Sequence, residues 1–175
     1  VDARLGDGSG ASAVEEILDI TGDYVSLYGL GTMNSAASTS NKRDIKISGR
    51  NFYAEYCSFR GGNSSTQTAN ATAGIPLWVN SATAGGGNSM WIKNCNIGSP
   101  GNADRTKGPG CVYFEGGASA GFNPVFENCI LSSRHSASTN QSCLVLLEAN
   151  YAVDRELLFK NCNFYNFVEN LASLM

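Results

Sequence analysis

Charge is scarce in this chain of 175 residues: Asp, Glu, Lys and Arg together make up 15% of it, well under the usual quarter. The 12 basic and 15 acidic side chains nearly cancel, leaving a net charge of −3. That balance gives no electrostatic footprint for nucleic acid or an anionic membrane, and neither is expected as a partner. Proline occurs 4 times and histidine once. No apolar run nears the roughly 20 residues that span a bilayer, and the opening Val1-Asp2-Ala3 lacks the charged, then apolar, stretch of a secretory signal. A soluble chain is expected. The missing initiator Met is what a processed chain, or a piece of a longer one, would show.

What remains is 42% hydrophobic with 20 Gly, set among stretches of Ser, Thr, Asn and Ala. This is neither a disordered tail nor a coiled coil, and the length suits one domain with its own core.

An internal repeat organises the chain once it is aligned on its cysteines. Trp91-Ile92-Lys93-Asn94-Cys95-Asn96-Ile97 matches Val125-Phe126-Glu127-Asn128-Cys129-Ile130-Leu131 and Leu158-Phe159-Lys160-Asn161-Cys162-Asn163-Phe164, with a weaker copy around Cys57. Cys111 and Cys143 form a second pair, so the coil length is about 33 residues. Ahead of each Asn-Cys element lies a β-rich run: Ile45-Lys46-Ile47, Leu77-Trp78-Val79, Val112-Tyr113-Phe114 and Leu144-Val145-Leu146-Leu147. Gly-, Ser- and Asn-rich connections separate the runs. Short strands at a long fixed period predict an all-β solenoid, a parallel β-helix of about four to five coils.

Strict alternation through the Asn-Cys element would bury Lys93, Glu127 and Lys160 beside the cysteines. A one-residue corner at the Asn, in the left-handed conformation that Asn tolerates, removes the conflict. Ile92, Phe126 and Phe159, the cysteines, and Ile97, Leu131 and Phe164 then point inward. Asn94, Asn128 and Asn161 form a ladder about 4.8 Å per step, and Cys95, Cys129 and Cys162 form a second column of small buried hydrophobes. The outward position reads Glu55, Lys93, Glu127, Lys160, so opposite charges neighbour each other at every step, each pair worth about 0.2 to 1 kcal/mol. Around Cys57 the corner is less well defined, because Tyr56 replaces Asn and Ala54 a large apolar residue.

An open stack needs its edges covered. Ser12-Ala13-Val14-Glu15 has capping-box spacing, and with Val14, Ile17 and Leu18 it predicts a short N-terminal capping helix; the other reading is a first strand from Glu16 to Ile20. The expected division is a cap or linker over residues 1–23 and the solenoid over 24–175, continued or covered by a partner after residue 175, since no polar cap follows the apolar stretch that begins at Phe167.

Candidate chemistry is thin. The stacked cysteines are expected as free thiols, and no Cys-x-x-Cys pair accompanies the single His135, placed in a Ser-rich loop, so no metal is expected. Glu115 and Glu148 end equivalent strands and could pair as carboxylates or hold calcium, against the plainer reading of solvated strand ends. Asn63, Asn70 and Asn140 open glycosylation sequons. The loops over 60–74, 98–110 and 132–142 are rich in polar groups suited to glycans or neighbouring subunits.

At these Asn-Cys coils the chain resembles the pectin-lyase-like family of right-handed parallel β-helices over residues 24–167. The Phe- or Ile-led Asn-Cys-x-Phe/Ile/Leu coil is similar to those of phage virion proteins: tailspikes, head fibres and capsid-decorating proteins. The resemblance implies a right-handed coil and a non-catalytic structural protein at the virion surface. It also implies a trimeric homo-oligomer beside other virion proteins, with a surface glycan as ligand and no cofactor. The family's polysaccharide lyases and hydrolases carry paired aspartates with Gly-His-Gly or Arg-Ile-Lys segments, or calcium-binding aspartates with a catalytic Arg. None of these marks is in this sequence. The alternative function is a fragment of a polysaccharide depolymerase with Glu115, Glu148 and Asp154 as its acids.

Overall fold

The computed structural model describes residues 3–6, 16–34, 43–62, 75–80, 88–98, 110–115, 122–136, 144–147 and 156–169. The described residues form strands and turns with no helix. The first coil contains β1 (Ala3–Gly6), β2 (Glu16–Ile20) and β3 (Ser26–Tyr28). The second contains β4 (Leu30–Asn34), β5 (Arg43–Ile47) and β6 (Phe52–Glu55), and the third β7 (Ser58–Gly62), β8 (Ile75–Asn80) and β9 (Asn88–Lys93). The fourth contains β10 (Asn96–Gly98), β11 (Val112–Glu115) and β12 (Phe122–Glu127). The fifth contains β13 (Ile130–Ser136), β14 (Val145–Leu147) and β15 (Leu158–Lys160), and β16 (Asn163–Glu169) begins a sixth.

Every strand pairs in parallel with the strand three places on, which gives three sheets. The first runs β1-β4-β7-β10-β13-β16, the second β2-β5-β8-β11-β14 and the third β3-β6-β9-β12-β15. This is the path of a coil with three strands per turn, and it carries the repeat read in the sequence into three dimensions. The sheets also take in residues 3–6 and 16–20, within the segment 1–23 assigned above to a cap or linker.

Apolar side chains line the inside in columns set by the register. Ile45, Leu77 and Val112 align on the second sheet, Ala54, Ile92 and Phe126 on the third, and Phe59, Ile97 and Leu131 on the first. All nine are fully buried. Phe126 stacks on Phe159 with ring centroids 4.9 Å apart, so the fourth and fifth coils meet there through flat aromatic faces.

The corner expected at each Asn is present. Asn94, Asn128 and Asn161 have φ of 51°, 53° and 52°, and Tyr56 adopts the same conformation at φ 54°, so the copy around Cys57 turns as the others do. Gly29, at φ 65°, makes the equivalent turn between β3 and β4. The corner does not interrupt hydrogen bonding between coils. Asn94 N–H donates to the Glu127 carbonyl at 2.9 Å and Asn128 N–H to that of Lys160 at 2.9 Å, while Ile130 N–H reaches Cys95 O at 2.9 Å.

Two expectations are corrected. Residues 16–20 are strand β2, not a capping helix; Ser12 to Glu15 lie outside the described residues. Leu18 and Ile20 pair with Ile45 and Ile47 of β5, and Arg43 holds Glu16 at 2.6 Å, so an exposed sheet edge takes the segment that local spacing alone would make helical. Phe164 was expected inside but is 47% exposed. It lies on β16, the end strand of the first sheet, where Phe159 covers one side at 5.3 Å.

Candidate functional site

The outer face of the third sheet gathers the most organised surface chemistry. Register places Tyr53, Trp91, Val125 and Leu158 in one outward column and Glu55, Lys93, Glu127 and Lys160 in the next. The Asn corners then form its border. Trp91 is 44% exposed and Leu158 39%, on strands whose opposite faces are packed in the core. Tyr53 meets Trp91 edge-on at 5.7 Å, and the Lys93 ammonium lies 5.6 Å from the Trp91 ring centre.

The charged column is tied along the stack. Lys160 Nζ donates to Glu127 Oε1 at 3.0 Å, and Lys93 Nζ stands 4.0 Å from Glu55 Oε1. The lysine at the end of that bond holds the Glu127 carboxyl below its usual range. Glu55 is held from three sides, since Tyr53 Oη donates to its Oε2 at 2.6 Å and Asn94 Nδ2 to its Oε1 at 3.0 Å. With Tyr at 56, Asn94 therefore uses this carboxylate, while Asn128 Nδ2 donates to Asn94 Oδ1 at 3.2 Å as the ladder requires. Its bond to Glu55 pushes the Tyr53 phenol up to about 12, because ionisation would break that bond and set two negative charges together.

Over the apolar column lies an open depression of about 480 Å³, lined by Trp91, Val125 and Leu158 and flanked along the strands by Asn123 and Glu156 on one side and Glu127 and Lys160 on the other. The combination of an exposed aromatic, an apolar hollow and fixed charges suits contact with another surface.

The second sheet differs. Trp78 and Tyr113, whose ring centroids are 4.3 Å apart, point away from the main core yet are buried, forming a second cluster with Ile75 and Leu146. The Arg43 guanidinium lies 3.7 Å above the Trp78 ring. The sequence reading missed this cluster. Its signal is the uninterrupted apolar run from Ile75 to Val79, which marks a strand covered on both faces rather than one.

Glu115 ends β11 in register with Asn80, and its Oε2 accepts the Trp78 indole N–H at 2.8 Å. The carboxylate therefore serves the second-sheet cluster. Glu148 and Asp154 lie outside the described residues, as do the sequon asparagines 63, 70 and 140 and Cys143. His135 is placed on strand β13, paired with Val168, rather than in a loop. Residues 60–62 and 132–136 of the expected polar loops are likewise strand.

The five described cysteines are free thiols. Cys57 N–H points at Cys95 Sγ at 3.3 Å, and Cys129 Sγ donates to the Ile92 carbonyl at 3.4 Å, so the column packs thiols against backbone. Its hydrogen bond with the neighbouring Cys57 thiol, together with burial, pushes the Cys95 thiol far up, and burial pushes Cys129 up to about 11. Held neutral in this way, Cys95 and Cys129 suit packing better than nucleophilic or metal-binding work, whereas the same Cys57–Cys95 bond lowers the Cys57 thiol to about 7. No group of three or more metal-ligating side chains forms among the described residues.

No family model, no curated protein and no solved structure matches this chain.

Proposed function

We propose that the chain is a non-catalytic structural module of a virion surface, a right-handed parallel β-helix of the pectin-lyase-like kind that acts through subunit packing and glycan contact. The observation that carries the reading is the outward column Tyr53, Trp91, Val125, Leu158, with two large apolar side chains exposed on a regular, hydrogen-bonded stack. A scaffold of this kind spends exposed aromatic area on contact with another surface. Right-handed coiling follows the strong preference of parallel crossovers. The virion assignment rests on the resemblance of the Asn-Cys coils.

The test is to incubate the purified protein with a panel of bacterial capsular and lipopolysaccharide O-chain glycans. New reducing ends and unsaturated products at 235 nm are followed, and glycan retention is read by native gel shift. Retention without cleavage supports the reading. Cleavage that is lost on substitution of Glu115 by Gln would replace it with the depolymerase.

A further inference from the structure

We propose that the outer face of the third sheet docks a second copy of this chain, turned end for end about a two-fold axis running along the strands between β9 and β12. The inference rests on the structural reading above and deepens it by naming the face and its symmetry. Such an axis keeps each residue's position along its strand and reverses the order of the coils. The charged column Glu55, Lys93, Glu127, Lys160 then meets Lys160, Glu127, Lys93, Glu55 of the second copy. Every height brings opposite signs together, because an alternating series of even length is its own complement when inverted. Each charge already has an opposite neighbour along its own stack, so docking extends a checkerboard. Complementary potentials of this kind fix register and exclude other pairings.

The apolar column behaves in the same way. Tyr53 comes opposite Leu158, and Trp91 opposite Val125. The depression of about 480 Å³ lies at Val125, between Trp91 and Leu158, so the second copy's largest exposed side chain faces the first copy's hollow. The two-fold repeats that contact on the other side, as a self-complementary interface must.

Rotation about the stacking axis, as in a parallel dimer or trimer, keeps every height. The charged column would then meet itself, Glu55 on Glu55 and Lys93 on Lys93, or would bury its charges against the apolar column. A trimer would have to use another face. Four strands about 4.8 Å apart give a small contact area, so the association should be micromolar and should weaken with salt.

Sedimentation velocity over a dilution series tests this on the full chain. The wild type should reach twice the chain mass. The fully inverted variant E55K/K93E/E127K/K160E keeps the alternation and should also dimerise, yet an equimolar mixture of isotopically labelled variant and unlabelled wild type, read by native mass spectrometry, should contain no mixed dimers, because inverted against wild type sets like charges together at every height. Two single variants bear on the hollow. V125W should fill it and W91A should remove its occupant, each weakening the dimer tenfold or more with the circular dichroism spectrum unchanged. Mixed dimers, or a dimer indifferent to both single variants, would overturn the proposal. A trimer, or a monomer at every concentration, would also overturn it. A trimer would leave assembly by subunit packing standing, whereas glycan cleavage by the monomer would remove that reading as well.

Discussion

The carbonyl oxygen of Ser132 occupies the space that a Cβ on Gly98 would need. The two residues are register partners on β10 and β13, and the same carbonyl accepts Cys111 Sγ at 2.7 Å, so it has no direction in which to yield cheaply. Gly98 also has φ of 87°, where other residues are strained. Gly98→Ala should cost more than about 2 kcal/mol, combining backbone strain of about 1 kcal/mol or more with the clash. Gly29→Ala is the control, since its φ is 65° but nothing lies within 4 Å, and it should lose only about 1 kcal/mol. Urea unfolding of both variants decides the matter, and equal losses would mean that the close approach to Ser132 contributes nothing.

At Asn128 conformation and hydrogen bonding can be separated. Asn128→Gly keeps the left-handed corner and loses only the exposed bond to Asn94, so a cost of a few tenths of a kcal/mol is expected. Asn128→Ala should lose about 1 to 2 kcal/mol, and Asn128→Val more, because a β-branched side chain fits a positive φ worst. Unfolding free energies ranked Gly, Ala, Val would support this order, and a Gly variant as unstable as Val would contradict it.

The Asn-Cys coils were legible because inward and outward positions recur about every 33 residues and the charges fit only one choice of face. Period and sign were enough to place the pairs Glu55–Lys93 and Glu127–Lys160. The first coil was harder to read, since Gly29 makes the turn that Tyr56 and then three Asn make in later coils, and no cysteine follows it. Asp44 left no signal either. It is fully buried, and its carboxylate accepts from Thr32 Oγ1 at 2.9 Å and from Gly61 N–H at 2.8 Å, partners brought in by the coiling. The capping-box spacing misled for the opposite reason, because local preference in a short segment is weaker than an available sheet edge. On the candidate face the charge order could be read in one dimension, whereas the hollow beside Val125 exists only once three coils are stacked.

The bond from Lys160 to Glu127 makes stability depend on acid. Glu127 has its folded pKa below the unfolded value, so its contribution is complete above about pH 5 and is lost as pH falls through the folded value. The melting temperature of Glu127→Gln should therefore lie below that of the wild type at neutral pH, and the gap should close on acidification toward about pH 2. Added salt should narrow it too, since Lys160 is largely exposed. A gap that is constant with pH would show that the carboxylate's charge is not what matters.

Thiol reactivity tests the inner column directly. Alkylation requires thiolate, and at pH 8 a thiol titrating near 11 holds only about one part in a thousand in that form. Cys95 and Cys129 are also sealed from solvent, whereas Cys162 on the last turn is only half-buried. Iodoacetamide at pH 8 should label Cys162 before Cys95 and Cys129, and should reach those two only as fast as the stack opens, so urea below the unfolding midpoint should speed the inner sites far more than Cys162. Peptide mapping by mass spectrometry over time reads all three sites in one experiment. Labelling of Cys95 at the rate of Cys162 in native buffer would mean that the corner column is open to water, and the inward placement of the cysteines would fall with it.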